Sequence, residues 1–168
     1  RGLGDVYKRQ GCLISFDPNL RLSLWKTPEE ARRRILYGMK QCDIMKISEE
    51  EVAFVSEQES LEKGVSFIRD NSDIKILFVT LGNKGSIAYY KDEKIYCGGI
   101  HQEHVVDTTG AGDTFCACVL HYILEHGLTD LTENDLKEML TFANAAASII
   151  TTRKGALRVI CLLYTSPS

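Results

Sequence analysis

No apolar run in this 168-residue sequence approaches the roughly 18 residues a membrane-spanning helix needs. Its first ten residues, RGLGDVYKRQ, hold no apolar stretch of the kind a secretory signal carries. A large excess of either sign of charge is missing as well. Twenty Lys and Arg against 23 Asp and Glu leave a net charge of -3, which argues against a broad basic surface for nucleic acid. The six cysteines, Cys12, Cys42, Cys97, Cys116, Cys118 and Cys161, form no CxxC pair. Cys116 and Cys118 would fall about 200° apart around a helix, too far round to share a metal. All six therefore read as small buried hydrophobes of a cytoplasmic protein. His101, His104, His121 and His126 show neither HExxH nor paired ligand spacing and read as surface or packing residues. A GxxxxGK[ST] loop, the protein-kinase motif set, and a GxGxxG with an acid about 20 residues on are all absent. Repeats and low-complexity linkers are absent too.

What is present reads as strands alternating with helices. Residues 11–16 are a short apolar strand, closed by Asp17-Pro18-Asn19. Thr27 caps a helix with Pro28 at its first position and Glu29 and Glu30 in its first turn. Residues 43–47 form a second strand. Ser48 opens an acidic helix with Glu51 at the capping-box position. A helix over 61–70 leads to the strongest strand, 75–81, and a tight turn at 82–85. Residues 86–90 and 94–97 read as a hairpin. A helix from about 114 to 125 ends at Gly127. A last helix, 133–150, has Ala143, Ala145, Ala146 and Ala147 for close packing. The pattern predicts an α/β domain with a largely parallel sheet and helices on both faces. Both ends lack this logic, and VYKRQ and CLLYTSPS resemble translated adapter sequence. Residues 11–160 are expected to form the domain, 1–10 and 161–168 to be a non-native leader and tail, and the natural protein to be longer.

The sharpest chemical feature is Asp107-Thr108-Thr109-Gly110-Ala111-Gly112-Asp113-Thr114-Phe115. Gly110 and Gly112 let the backbone turn tightly just before a helix. Unpaired amides and the positive end of the helix dipole then converge on the turn, a setting for phosphate or developing negative charge. A carboxylate at Asp113 can take the proton of an attacking hydroxyl. The local pattern alone serves equally well for an ordinary first-turn aspartate behind a glycine loop.

This string, followed by a small-residue helix, resembles the second signature of the PfkB, or ribokinase-like, carbohydrate kinases; residues 11 to about 157 are similar to that family's C-terminal half in order and spacing. The resemblance implies a three-layer α/β/α fold and phosphoryl transfer from ATP, with magnesium, to a sugar hydroxyl. Asp113 would be the base, and the amides of Gly110, Ala111 and Gly112 the anion hole. Thr80, Gly82, Lys84 and Gly85 are similar to the nucleotide loop. Ser48-Glu49-Glu50-Glu51 resembles Asn-x-x-Glu, with Ser48 standing where the family has Asn; Glu51 would act on magnesium through water. Asp17-Pro18-Asn19-Leu20-Arg21 resembles the DPNxR of the fructokinase branch, which gives Asn19 and Arg21 substrate roles. Asn144 and Gly155 would border the adenine. Asp107, Thr109 and Thr151 resemble a monovalent-cation site for potassium. Fructose is the first expected sugar, with 2-keto-3-deoxygluconate, ribose or a nucleoside as alternatives. A non-catalytic nucleotide-binding relative is the other reading. The resemblance implies small-molecule partners and a homodimer of the whole protein, and the chain alone is expected to be inactive.

Overall fold

A computed structural model describes residues 11–152 and 154. The expected leader and tail, and Gly155, lie outside the described residues. The chain divides into two compact units. One holds the chain up to Thr80 together with Tyr89–Asp92; the other holds Leu81–Ala88 and the chain from Glu93 onward.

In the first unit, strands β1 (Ser15–Phe16), β2 (Ile44–Ser48) and β3 (Ile76–Thr80) run parallel, with Ser15 opposite Ile44 and Ile44 opposite Ile76. Met45, Ile47, Ile76, Leu77, Phe78 and Val79 are all buried, the near-continuous apolar run of a parallel sheet covered on both faces. Full burial of each such side chain is worth about 1.5–3 kcal/mol. The expected six-residue first strand shortens to two. Ahead of it, the Asp43 carboxylate takes the Ile14 amide at 2.9 Å, and the Ile14 carbonyl accepts from the amides of Asp43 and Ile44. Helices α1 (Pro28–Met39) and α2 (Glu49–Ser56) start at the caps expected from sequence, Thr27 and Ser48, and α3 (Leu61–Asp70) starts at Ser60; each of the three accepts an amide of the first turn. Gly38 of α1 gives the Phe16 ring room to lie against the helix, and Gly64 of α3 does the same for Val52 and Ser56 of α2.

The second unit begins with a 3-10 turn, Gly82–Lys84, leading into β4 (Gly85–Tyr90), whose last two residues belong to the first unit. A two-residue turn with Lys91 at φ 50 connects it to β5 (Glu93–Gly98). In the sheet the five strands follow chain order, β1 to β5, and the hairpin makes it mixed rather than purely parallel. Helices α4 (Ala111–His126) and α5 (Glu133–Thr151) pack on each other, with Phe115, Val119 and Ile123 of the first and Leu136, Met139, Leu140 and Ala143 of the second buried. Gly127 ends α4 at φ 83, as its position predicts. The start of α4 differs from expectation: Gly110, left-handed at φ 85, is the cap, so Asp113 lies inside the first turn.

The cysteines also depart from expectation. Among the described residues only Cys42 is buried; Cys12 is exposed, Cys97, Cys116 and Cys118 are half-buried, and Cys161 lies outside the described residues. Among the described residues no helix is long and apolar enough to cross a membrane.

Candidate active site

The start of α4 carries the chemistry the sequence points to. Gly110 turns the chain, and Ala111, Gly112 and Asp113 make the first helical turn. Of the three amides expected to form the anion hole, that of Ala111 donates to the Thr108 carbonyl at 3.2 Å. Among the described residues the amides of Gly110 and Gly112 find no acceptor, and Asp113 adds a third free N–H. The Asp113 carboxylate is exposed and pairs with no described residue. An unpaired carboxylate beside unpaired amides can receive a proton while the helix end receives negative charge.

Just upstream, Asp107, Thr109 and Thr151 come together. The Asp107 carboxylate accepts the Thr109 amide at 2.9 Å, and the Thr151 carbonyl accepts the amides of Val106 and Asp107 at 2.8 and 3.2 Å. That carbonyl oxygen has only two lone pairs, so it fastens the loop rather than facing outward. Asn144 is buried on α5, its side-chain amide bonded to Ser86, Cys97 and Gly98. Gly82 is left-handed at φ 61 and Gly85 lies at φ 107. Lys84 is exposed.

A second group sits in the first unit. Asn19 is left-handed at φ 40, and its amide donates to Asp17 in the turn that Asp-Pro-Asn favours. Glu51, only 8% exposed, accepts the Ser48 amide at 2.8 Å with one oxygen and the Leu20 amide at 2.6 Å with the other. Ser48 returns the bond, its hydroxyl oxygen accepting the Glu51 amide at 3.2 Å. The carboxylate therefore fastens the Asp17–Leu20 loop to the start of α2. Asn19, Leu20, Lys46, Ser48 and Glu51 line one cavity of about 500 Å³. Arg21 does not line it; it is exposed and unpaired among the described residues. Thr80 ends β3 directly opposite Ser48.

Residues 3–160 match the pfkB family carbohydrate kinase. The chain belongs to this family. Fructokinase-1 of Zea mays is 41% identical over 155 residues, covering 91% of this chain and 47% of that protein. Fructokinase-2 of Solanum lycopersicum is 39% identical over 153 residues, covering 91% and 46%. Among solved structures, the fructokinase of Vibrio cholerae O395 with fructose, ADP and calcium bound superposes with a TM-score of 0.83 at 30% identity, covering 96% of this chain and 52% of that one. The aminoimidazole riboside kinase of Salmonella enterica, complexed with aminoimidazole riboside and an ATP analogue, gives 0.81 at 25% identity, covering 94% and 52%. The chain thus spans about half the length of each of these relatives.

Within this PfkB chain, one residue lining the candidate site escapes the motif reading. Lys46 is buried in β2 and reaches Asp17 at 3.2 Å, beneath the Asp-Pro-Asn turn. Burial pushes the Asp17 carboxyl above its ordinary range; Lys46 pulls it back and the nearby Glu51 charge pushes it up again. The signal was available: a lysine in the middle of Ile44-Met45-Lys46-Ile47 needs a buried acid, and Asp17 follows directly on the neighbouring strand β1.

Proposed function

We propose that the whole protein of which this sequence is part transfers phosphoryl from ATP to a sugar hydroxyl, with fructose as the first substrate. The observation that carries this reading is the Asp113 carboxylate, unpaired among the described residues, beside the amides of Gly110, Gly112 and Asp113, which find no acceptor there, in a chain of the pfkB family. Asp113 accepts the proton of the attacking hydroxyl, and the start of α4 takes the negative charge of the transferring group. Magnesium supplies charge neutralisation on the nucleotide phosphates. Glu51 fits that ion only through water, since each of its oxygens already holds one amide. A potassium ion belongs to the proposal at Asp107 and Thr109, with the Thr151 carbonyl holding the loop. The fructose, ADP and ions of the Vibrio relative support these assignments. Thr80, Gly82, Lys84 and Gly85 serve the nucleotide, and Asn19 and Arg21 the sugar. The proposal covers a cytoplasmic protein of small-molecule partners, with no nucleic-acid or membrane partner, and dimeric when whole.

The test is ADP release from MgATP, measured on this chain and on the intact gene product, against fructose, ribose, 2-keto-3-deoxygluconate and a nucleoside. Turnover of fructose by the intact product, lowered about 10²- to 10⁴-fold in Asp113→Asn, is the expected result. No turnover of any sugar, with ATP still bound, would favour a non-catalytic nucleotide-binding protein.

A further inference from the structure

The turn at 82–85 is bounded by Gly82 at φ 61 and Gly85 at φ 107. Its backbone rests on the residues that close β5. The Gly99 amide donates to the Lys84 carbonyl at 3.1 Å, and the Tyr96 hydroxyl donates to the same oxygen at 2.8 Å. A Cβ on Gly85 would lie 2.1 Å from the Cys97 carbonyl oxygen, and one on Gly99 would lie 2.2 Å from that of Asn83. The two backbones touch without intervening side chains, so the position of 97–99 sets the position of the turn.

Residues 97–99 are in turn held by α5. The Asn144 side-chain nitrogen donates to the carbonyls of Cys97 at 3.2 Å and Gly98 at 3.3 Å, while its oxygen accepts the Ser86 hydroxyl at 2.9 Å. Two carbonyl partners fix which end of the amide is nitrogen. Both N–H groups are in use, and Ser86 is fully buried, with 0% exposure. The Cys97 carbonyl that Asn144 holds is the same atom that a side chain at Gly85 would strike.

We propose that Asn144 and Ser86 are positioning residues for the nucleotide turn, acting through Cys97, Gly98 and Gly99 rather than by touching the nucleotide. The inference rests on the reading that the turn at 82–85 meets ATP. It makes a buried serine that no ligand can reach matter for nucleotide affinity.

The experiment compares the 168-residue chain with Asn144→Ala, Ser86→Ala and the double variant. ATP affinity is read by calorimetry, and exchange of the Gly99 and Gly85 amides by mass spectrometry or NMR. Ser86→Ala is the conservative arm, should Asn144→Ala fold poorly. Each single variant is expected to weaken ATP binding roughly 10-fold and to speed exchange at Gly99, as follows from leaving buried partners unpaired. The double variant is expected to be no worse than the weaker single, as for residues acting through one contact. Loss of ATP affinity in Asn144→Ala with Ser86→Ala and Gly99 exchange unchanged would overturn the proposal in favour of direct contact. Unchanged affinity in both variants would also overturn it. An unmodified chain that fails to bind ATP would sink the nucleotide reading itself, while the exchange data would still report whether the brace exists.

Discussion

Replacing Lys46 by methionine should be among the most damaging single changes in the first unit. Its ammonium lies 3.2 Å from Asp17, with the two side chains only 9% and 18% exposed. At that distance and an effective dielectric constant of about 20, the attraction is on the order of 5 kcal/mol. Removing one partner leaves a buried charge alone, a change that costs about 3–5 kcal/mol. Glu51 worsens it, because its charge already pushes the Asp17 carboxyl up. Lys46→Met, followed by urea titration with the single tryptophan, Trp25, as fluorophore, should lose about 3 kcal/mol at neutral pH. The double variant Lys46→Met/Asp17→Asn should regain most of this, since asparagine keeps the oxygen that accepts the Asn19 amide. The pH dependence has a defined sign. A carboxyl whose folded value is raised favours the folded state below its unfolded value of 3.8 and loses that advantage as pH rises through the folded one. Without Lys46 the folded value climbs further, so the deficit of Lys46→Met should shrink as pH falls toward 3.8. A loss under 1 kcal/mol, or a double variant no better than the single, would refute the reasoning.

Two further outcomes follow from the packing and the caps. Alanine for glycine within a helix ordinarily gains about 1 kcal/mol, but at Gly64 the new Cβ would lie 2.6 Å from Val52 Cγ1 and 2.9 Å from Ser56 Oγ. Overpacking of that kind costs about 1–3 kcal/mol, so Gly64→Ala should lower the urea midpoint; a raised midpoint would show that α2 and α3 separate freely. At the start of α5, the Thr132 hydroxyl and amide hold the Asp135 carboxyl below its ordinary value of 3.8. The stability this contributes is present above 3.8 and lost as pH falls through the lowered folded value. The difference in Tm between the parent chain and Asp135→Asn should therefore vanish in acid, and a difference constant across pH would contradict it.

Local chemistry made much of this structure readable in sequence. Thr27-Pro28, Ser48 with Glu51, and Gly127 each mark a helix end through one side chain or one backbone angle, and each stands where expected. The parallel strands were legible because burial on both faces leaves an apolar run. Residues 11–14 carry the same apolar run yet form no strand, Ile14 alone reaching Asp43 and Ile44, because strand formation needs a neighbour that composition does not reveal. The glycine string before Asp113 announced a turn and a free helix end. It did not announce that the Ala111 amide would close onto Thr108, since that depends on the angle at Gly110. Asn144 illustrates the same limit: its place on a small-residue helix was plain, but its partners come from β4 and β5, 46 to 58 residues earlier.

The order of the strands, β1 through β5 as they occur along the chain, has a bearing on how such a sheet can come into being. No later strand has to be threaded between two already formed, so each can add to an existing edge as it emerges from the ribosome. Closure of each parallel step spans only the helix-bearing segment just made, which keeps the ordering cost of every step modest. A sheet built this way can also be lengthened at the β1 edge without disturbing any register already set.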